Sequence, residues 1–170
     1  MKRILLTLLT LILLSTNVFG NLILQNTQSY SSTRPKTGTF LKDAYRNGYG
    51  ILIIKNELND EDAVCIISHI SNPEIPLIAV YIRSKESFTI QGIEDGLYYL
   101  YFSLGEEWNS EQNRFMKNPK FKRFKDIFEF ETEYVGNMIY YTVYEVTLYG
   151  VIGGKAETVN ISEKDFPKFK

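Results

Sequence analysis

Residues 81–104 read YIRSKESFTIQGIEDGLYYLYFSL and decide the fold class of this chain. Phe88 and Ile90 are apolar at alternate positions, Glu94-Asp95-Gly96 interrupts the pattern, and an apolar run resumes from Leu97 to Leu104. Alternation with period two over about four to eight residues is typical of a half-buried β-strand, and such an interruption is typical of a turn. The stretch therefore predicts strand, turn and strand in close succession.

Similar patterns, separated by turn residues, recur along the chain and predict further strands. The predicted strands are 50–55, 63–70, 77–83, 86–90, 97–104, 127–134, 139–149 and 155–160. Residues 106–116 have room for a short helix within one long loop, and no longer stretch has a helical apolar stripe. Short strands separated by turn residues predict an all-β fold, an antiparallel β-sandwich of about 7–8 strands.

The alternation also predicts which side chains face the core. In the strand 97–104 the core face consists of Tyr98, Leu100, Phe102 and Leu104, and in the strand 139–149 it consists of Tyr144, Val146 and Leu148. In the strand 127–134 the residues Phe128, Phe130, Thr132 and Tyr134 face inward, whereas Glu129, Glu131 and Glu133 face outward. A slip of one residue would bury three glutamates, so the register is strongly specified.

The N-terminus has the anatomy of a secretory signal peptide. Lys2 and Arg3 precede an apolar run at 4–14, and Val18 and Gly20 supply small residues for a cleavage site. The run is shorter than the roughly 20 residues of a membrane-spanning helix, although an uncleaved anchor is the alternative. We therefore expect a secreted or periplasmic protein that is not integral to the membrane after cleavage.

The chain is divided by composition into three parts. Residues 1–20 are the signal peptide, 21–49 a flexible leader rich in polar residues, and 50–170 the β-sandwich domain. Phe40, Leu41 and Tyr45 are the leader residues that are able to fold back onto the domain.

Charge and cysteine content exclude several classes of protein. The formal net charge is −1, so nothing indicates a nucleic acid partner. Cys65 is the only cysteine and lies among apolar residues, where we expect a buried, inert thiol instead of a nucleophile. His69 is the only histidine, which leaves no histidine-rich zinc site and no convincing catalytic triad.

Two acidic groups are candidate sites. Glu57, Asp60, Glu61 and Asp62 lack the spacing of a calcium loop and are typical of a solvated hairpin turn. The ladder Glu129, Glu131 and Glu133 has carboxylate separations that occur in glycosidases, but an open sheet face lacks the cleft that this chemistry needs. The sequence therefore predicts no catalytic residue, no metal and no cofactor.

The segment SFTI-x-GI-x-DGLYYL at 87–100 resembles the strand-turn-strand motif of prealbumin-like sandwiches, which include carboxypeptidase-regulatory-like and collagen-adhesin B-type modules. The resemblance implies that Gly96 permits a tight turn and that Tyr98 caps the sandwich with its hydroxyl on the backbone. The run from Gly50 to Gly154 is also similar to an uncharacterised family of exported bacterial domains. Some adhesin modules carry a lysine–asparagine crosslink, for which Lys55 and Asn160 are the residues to compare.

The segment 114–125, RFMKNPKFKRFK, contains basic and aromatic residues and no acidic one. This combination suits an anionic surface such as lipid headgroups, lipopolysaccharide or an acidic glycan. The preferred alternative is that the phenylalanines anchor a long loop while the charges are solvated. The candidate residues for anionic-surface binding are Trp108, Arg114, Lys117, Lys120, Phe121, Lys122, Arg123, Phe124 and Lys125.

These observations favour an exported, non-catalytic binding or accessory module of the bacterial cell envelope, with an unknown ligand. Its partner would be an anionic envelope surface, a glycan or another envelope protein. Two alternatives remain open: a carboxylate-based glycan hydrolase, and a structural or adhesive subunit that assembles through its edge strands.

Overall fold

The computed structural model describes residues 34–44, 46–149 and 157–168. These residues form strands and one short 3-10 helix, Glu163–Asp165. The strands are β1 (Thr39–Asp43), β2 (Gly50–Asn56), β3 (Asp62–His69), β4 (Ile78–Ile82), β5 (Ser87–Ile93), β6 (Gly96–Asn109), β7 (Arg114–Phe124), β8 (Phe128–Phe130), β9 (Thr132–Val135), β10 (Met138–Tyr141), β11 (Val143–Leu148) and β12 (Thr158–Asn160). Residues 1–33, which include the predicted signal peptide and most of the predicted leader, and Tyr45, 150–156 and 169–170 lie outside the described residues.

Two sheets pack against each other, which confirms the predicted all-β sandwich. The larger sheet has the order β1-β4-β3-β6-β7-β12, with β8 also paired to β6, and the smaller sheet has the order β11-β2-β5. Strands β9 and β10 form a separate two-stranded hairpin. There are more strands than predicted, and one pair, β11 with β2, is parallel where the prediction was antiparallel throughout.

The main core lies between the two sheets and is built from alternate residues of their strands. The larger sheet contributes Cys65, Leu100 and Phe102, and the smaller sheet contributes Leu52 and Val146. Cys65 is free and 0 % exposed, as predicted, and burial raises the pKa of its thiol. The core faces predicted for 97–104 and 139–149 are confirmed, with Tyr144 at the margin of the core.

A second core covers the outer face of the larger sheet. The β6–β7 ladder is irregular between Leu104 and Glu106, and Glu107 and Asn118 have φ angles of 57° and 51°. Such irregularities bend a strand pair, and beyond this bend Trp108 and Phe115 contact Tyr81, two strands away from β6. The C-terminal segment adds Phe166, so the larger sheet is the middle of three layers.

Three predicted features of secondary structure are wrong. Residues 114–124 form strand β7 instead of a long loop, and residues 106–116 contain no helix but the end of the β6–β7 hairpin. Residues 39–43, assigned to the leader, form β1 and pair with β4. Phe40 packs edge-on against Phe88 at 5.7 Å, so this part of the leader does fold back onto the domain.

The predicted strands 127–134 and 139–149 are each divided in two. Strand β8 belongs to the larger sheet and β11 to the smaller one, and the β9–β10 hairpin extends between them. Breaks at Glu131 and Thr142, whose backbones are hydrogen-bonded to each other, allow the chain to change sheets. Phe128 and Phe130 are buried and the three glutamates are exposed as predicted, but Tyr134 is 67 % exposed because it lies beyond the break.

The turn before β6 has the geometry that the sequence predicts. Gly96 has a φ of 154°, and a Cβ atom there would lie 3.2 Å from the hydroxyl oxygen of Tyr98. The Tyr98 hydroxyl donates a 3.0 Å hydrogen bond to the carbonyl of Glu94. A tyrosine therefore fixes this turn to the end of the sandwich, as expected for Tyr98 from the strand-turn-strand resemblance.

Candidate functional site

The β9–β10 hairpin is the most exposed apolar element among the described residues. None of its eight strand residues belongs to either core, and Tyr134, Val135, Met138, Ile139, Tyr140 and Tyr141 are all exposed. Val135 faces Met138 across the turn at Gly136, whose φ is 61°. A contiguous exposed apolar patch of this kind is typical of an interaction surface.

One face of this hairpin is aromatic and uncharged. Tyr134 lies opposite Ile139, and Tyr141 lies opposite Thr132, so these four residues share a face. Tyr49 packs on the same face, with its ring stacked beside that of Tyr141 at 6.2 Å and 25°, and edge-on to that of Tyr134 at 6.4 Å. We call Tyr49, Thr132, Tyr134, Ile139 and Tyr141 the tyrosine face.

The opposite face of the hairpin is different in character. It contains Val135, Met138, Glu133 and Tyr140, and the Tyr140 hydroxyl contacts the Met138 sulfur at 3.6 Å. Glu133 gives this face a negative charge. The two faces of one strand therefore provide an internal comparison, because Tyr140 and Tyr141 are neighbours in sequence and point in opposite directions.

An open cleft of about 810 Å³ adjoins the tyrosine face, with Tyr49 and Tyr141 in its wall. Asp43, Arg46 and Gln91 add polar groups to its wall. The Arg46 guanidinium pairs with the Asp43 carboxylate at 2.8 Å and donates to the Gln91 carbonyl at 3.1 Å. The Gln91 side chain is exposed beside this ion pair. The cleft therefore combines aromatic rings with fixed hydrogen-bonding groups.

Acidic residues flank the hairpin. Glu129, Glu131 and Glu133 line a shallow, open groove together with Asp95, and all four are exposed. Asp95 is held in place because its carboxylate accepts hydrogen bonds from the backbone and hydroxyl of Thr132 at 3.1 and 2.7 Å. This groove does not enclose a pair of carboxylates, which is the arrangement that the hydrolase alternative needs.

The basic residues of 114–125 are mostly neutralised by carboxylates. Lys117 pairs with Glu106 and Lys120 with Glu61, both at 2.6 Å. Arg114 pairs with Glu163 at 3.0 Å, and Lys125 pairs with Glu157. Arg123 stacks on the Tyr99 ring at 4.4 Å. Anionic-surface binding stays a prediction for these residues, and it is weakened because few of their charges are unpaired.

The aromatic residues of the same prediction are not on the surface. Trp108 is 3 % exposed and belongs to the outer core, and Phe124 packs in the main core between Phe102 and Phe128. Phe121 is half-buried against Phe166 at 5.0 Å. Trp108 and Phe124 are therefore wrong as surface-binding residues, because strand pairing turns them inward.

Within the acidic run 57–62, Asp62 has a structural role. Its carboxylate accepts hydrogen bonds from Arg34 at 2.6 and 2.7 Å, from the Tyr81 hydroxyl at 2.5 Å and from the backbone of Ser84 at 2.8 Å. Burial alone would raise the pKa of Asp62, but these hydrogen bonds outweigh it and lower that pKa. No cluster of potential metal ligands occurs among the residues that the structure describes.

The remaining candidates are separated from one another. His69 contacts the Ser71 hydroxyl at 2.7 Å and lies edge-on to Tyr98. Lys55 forms an exposed ion pair with Glu145 at 2.6 Å in the smaller sheet, whereas Asn160 lies in β12 of the larger sheet. The structure therefore gives no support to a Lys55–Asn160 crosslink.

Sequence reasoning missed the tyrosine face. The signal was present in residues 138–141, MIYY, which are four apolar or aromatic residues without alternation. A fully buried strand gives the same pattern, and only the structure distinguishes the two cases. Tyr49 was placed in the leader, although it lies beside Tyr141.

Comparison of the chain with protein-family models, with curated proteins and with solved structures gives no match in any of the three. The resemblances to prealbumin-like modules and to exported bacterial domains therefore stay predictions. Among the described residues, no helix is long and apolar enough to cross a membrane.

Proposed function

We propose that this protein is an exported, non-catalytic binding module that holds an uncharged polysaccharide on its tyrosine face and in the adjoining cleft. The observation that carries the proposal is the side-by-side pair of exposed rings, Tyr49 and Tyr141, in the wall of a cleft lined with polar groups. Ligand sites commonly combine aromatic side chains with a few fixed polar groups.

A sugar ring has two requirements that this surface meets. Its C–H face is apolar and packs against aromatic rings. A tyrosine ring offers an apolar face together with a hydroxyl group that stays in contact with water. Its hydroxyl groups need hydrogen-bond partners, which Gln91 and the Asp43–Arg46 pair supply at the side of the rings. The Asp43–Arg46 pair is fixed before binding, so little ordering is needed there when a ligand enters.

The charge distribution favours a neutral polymer over an anionic one. No residue of the tyrosine face is charged, and the Asp95 carboxylate lies at its flank, where it accepts hydrogen bonds from Thr132. This carboxylate would repel an acidic glycan or an anionic membrane. The basic strand β7 is in the larger sheet, and most of its charges are already paired with carboxylates.

Assembly through edge strands has less support from three of the edges, those of β12, β1 and β5. Strand β12 has only three residues, and β1 has a bulge near Lys42 and ends at Asp43. Part of the β5 edge is occupied, since the carbonyls of Gln91 and Gly92 accept hydrogen bonds from Arg46 and Gly48. Short, bulged or charged edges are typical of sheets that avoid pairing with another chain.

Export rests on the sequence of residues 1–20 alone. If the protein is expressed in a Gram-negative host, we expect it in the periplasm or medium with Asn21 as its first residue. Intact-mass measurement of the fractionated cells checks this directly. Retention of Met1 in a cytoplasmic product would contradict export without bearing on the tyrosine face.

Affinity gel electrophoresis through neutral and acidic polysaccharides tests the binding function. We expect at least one neutral polysaccharide to retard the protein, with little dependence on salt because charge pairs contribute little. Replacement of Tyr49 by Ala should weaken the affinity derived from the retardation about tenfold, since a ligand ring loses its stacking partner, a contact worth about 1–3 kcal/mol where nucleic-acid bases stack on aromatic side chains.

Tyr149 provides the matched control, because it is an exposed tyrosine, at 56 % against 43 % for Tyr49, outside the tyrosine face. The Tyr149→Ala variant should migrate like the wild type. Retardation by acidic polysaccharides only, or equal effects of the two substitutions, would contradict the proposal.

A further inference from the structure

The tyrosine face continues along the outer side of the smaller sheet. Tyr49 directly precedes β2, and Tyr141 lies two residues before the first residue of β11. Each tyrosine is therefore in phase with the residues of its strand that point away from the core, since side chains two positions apart share a face. Ile51 and Gln91 line the cleft together with both tyrosines, so the surface is continuous from the hairpin to the sheet.

Two columns of side chains, one from β2 and one from β11, form this outer surface, which we call the sheet face. It consists of three pairs in register across the two strands: Ile51 and Val143, Ile53 and Glu145, and Lys55 and Thr147. Within the described part of the chain, Ile51, Ile53 and Val143 belong to neither core, and Val143 is 50 % exposed. Lys55 and Glu145 form an ion pair at 2.6 Å. The sheet face is therefore an open surface without net charge.

A column of polar side chains runs beside the sheet face. Strand β5 contributes three exposed residues that are paired with β2, namely Ser87, Thr89 and Gln91. Hydroxyl and amide groups both donate and accept hydrogen bonds. Apolar and hydrogen-bonding groups therefore lie side by side along the length of the strands, which is the combination that a sugar chain needs.

The length of the surface indicates the size of the ligand. From Tyr49 to Lys55 the chain rises about 3.3 Å at each of six steps, which gives about 20 Å. A disaccharide would cover only part of this length. Because outward side chains recur at a constant interval along a strand, a ligand that repeats the same groups along a straight axis would contact all of them.

We propose that the tyrosine face and the sheet face together bind a neutral polysaccharide with a straight, extended chain, whose axis lies along β2 and β11. Polymers of the cellulose and mannan type have this shape and present apolar C–H faces with hydroxyl groups at their edges. A glucan of the amylose type curves and would leave such a surface. The inference rests on the proposed function, which it narrows from a neutral polysaccharide to an extended one.

Oligosaccharides of two lengths and two shapes test this inference in titrations of the full chain. The probes are cellobiose and cellohexaose, the corresponding manno-oligosaccharides, and maltohexaose as the curved comparison. In at least one straight series we expect the hexasaccharide to bind about tenfold or more tighter than the disaccharide, because more contacts form along the sheet face, and tighter than maltohexaose.

A ratio below about tenfold in both straight series, or tightest binding of maltohexaose, would overturn the inference. The proposed function would survive either result if a neutral polysaccharide still retards the protein through Tyr49. If no neutral polysaccharide binds, both fail.

Two valines place the longer ligand on the sheet face. Val143 lies on it at 50 % exposure, and Val135 lies on the opposite face of the hairpin at 51 % exposure. Val143→Ser should weaken hexasaccharide binding about threefold or more, since an apolar contact is lost, and Val135→Ser should leave it unchanged. The same loss for both variants would overturn the placement. The comparison of chain lengths on the wild type decides the outcome even if Val143→Ser does not fold.

Discussion

Asp62 shows how one buried charge connects distant parts of the chain. Asp62 is 6 % exposed. Its carboxylate accepts hydrogen bonds from Arg34, which precedes β1, and from Tyr81 on β4. Arg83 strengthens the same connection by donating to the carbonyls of Arg34 and Pro35. The segment 34–38 is therefore held against the larger sheet by polar contacts as well as by strand pairing.

Replacement of Asp62 by Asn should lower the free energy of unfolding at pH 7 by about 1–3 kcal/mol, since a charged hydrogen-bond acceptor in a buried network is lost. The pKa of Asp62 is lowered in the folded protein, so its contribution is complete above about pH 5 and is lost as the pH falls through about 4 and below. Urea unfolding at pH 7 and at pH 2.5 measures the difference between variant and wild type. A difference that stays constant with pH would contradict the role of the charge.

Gly96 and Gly136 both have positive φ angles, but only Gly96 is confined. A Cβ atom at Gly96 would meet the Tyr98 ring and hydroxyl, whereas a Cβ atom at Gly136 would have nothing within 4 Å. We therefore expect Gly96→Val to cost about 1–3 kcal/mol and Gly136→Ala to cost about 1 kcal/mol from backbone strain alone. Thermal unfolding measures both, and an unchanged melting temperature for Gly96→Val would show that the turn tolerates a side chain.

At the scale of elements, β7 is a strand that the sequence did not predict. Phe115, Phe121 and Phe124 are six and three positions apart, which is too sparse to show a period of two, and the strand is interrupted where Asn118 has a positive φ and the ladder with β6 is irregular. Pro119 adds to the interruption, since proline is uncommon within paired strands. Beyond this point, Phe121 faces the outer core and Phe124 the main core.

Phe124→Ala should destabilise the protein by about 3–5 kcal/mol, because it leaves a void in the main core beside Phe102 and Phe128. Lys122→Gln, two positions earlier, should change stability by less than about 0.5 kcal/mol, since it removes no core contact. Chemical denaturation of both variants checks this pair. A normal stability for Phe124→Ala would mean that β7 does not pack as described.

The β9–β10 hairpin is a further case in which position in the fold outweighs composition. Its strands have the residues of a core strand, yet β8 and β11 on either side are assigned to different sheets. The hairpin must therefore extend past the sandwich, and its apolar side chains remain exposed. The sequence contains no local indication of this exposure.

At the scale of the whole molecule, the sequence predicts what is decided by local alternation. The strands around 81–104 and the outward glutamates follow from the period of two, and the burial of Cys65 follows from its apolar neighbours. The parallel pairing of β11 with β2, the outer core and the approach of Tyr49 to Tyr141 depend on contacts between residues far apart in the chain. The tyrosine face was not predicted for this reason.

If one face of the β9–β10 hairpin binds an uncharged polysaccharide, two tyrosines that are neighbours in sequence must contribute differently to the affinity. Tyr141 is 44 % exposed on the tyrosine face, and Tyr140 is 50 % exposed on the opposite face. The measurement is the dissociation constant of each alanine variant for a neutral polysaccharide that binds the wild type. We predict a loss of about tenfold or more for Tyr141→Ala and a change of less than about twofold for Tyr140→Ala. Equal losses for both variants, or a larger loss for Tyr140→Ala, would contradict the account.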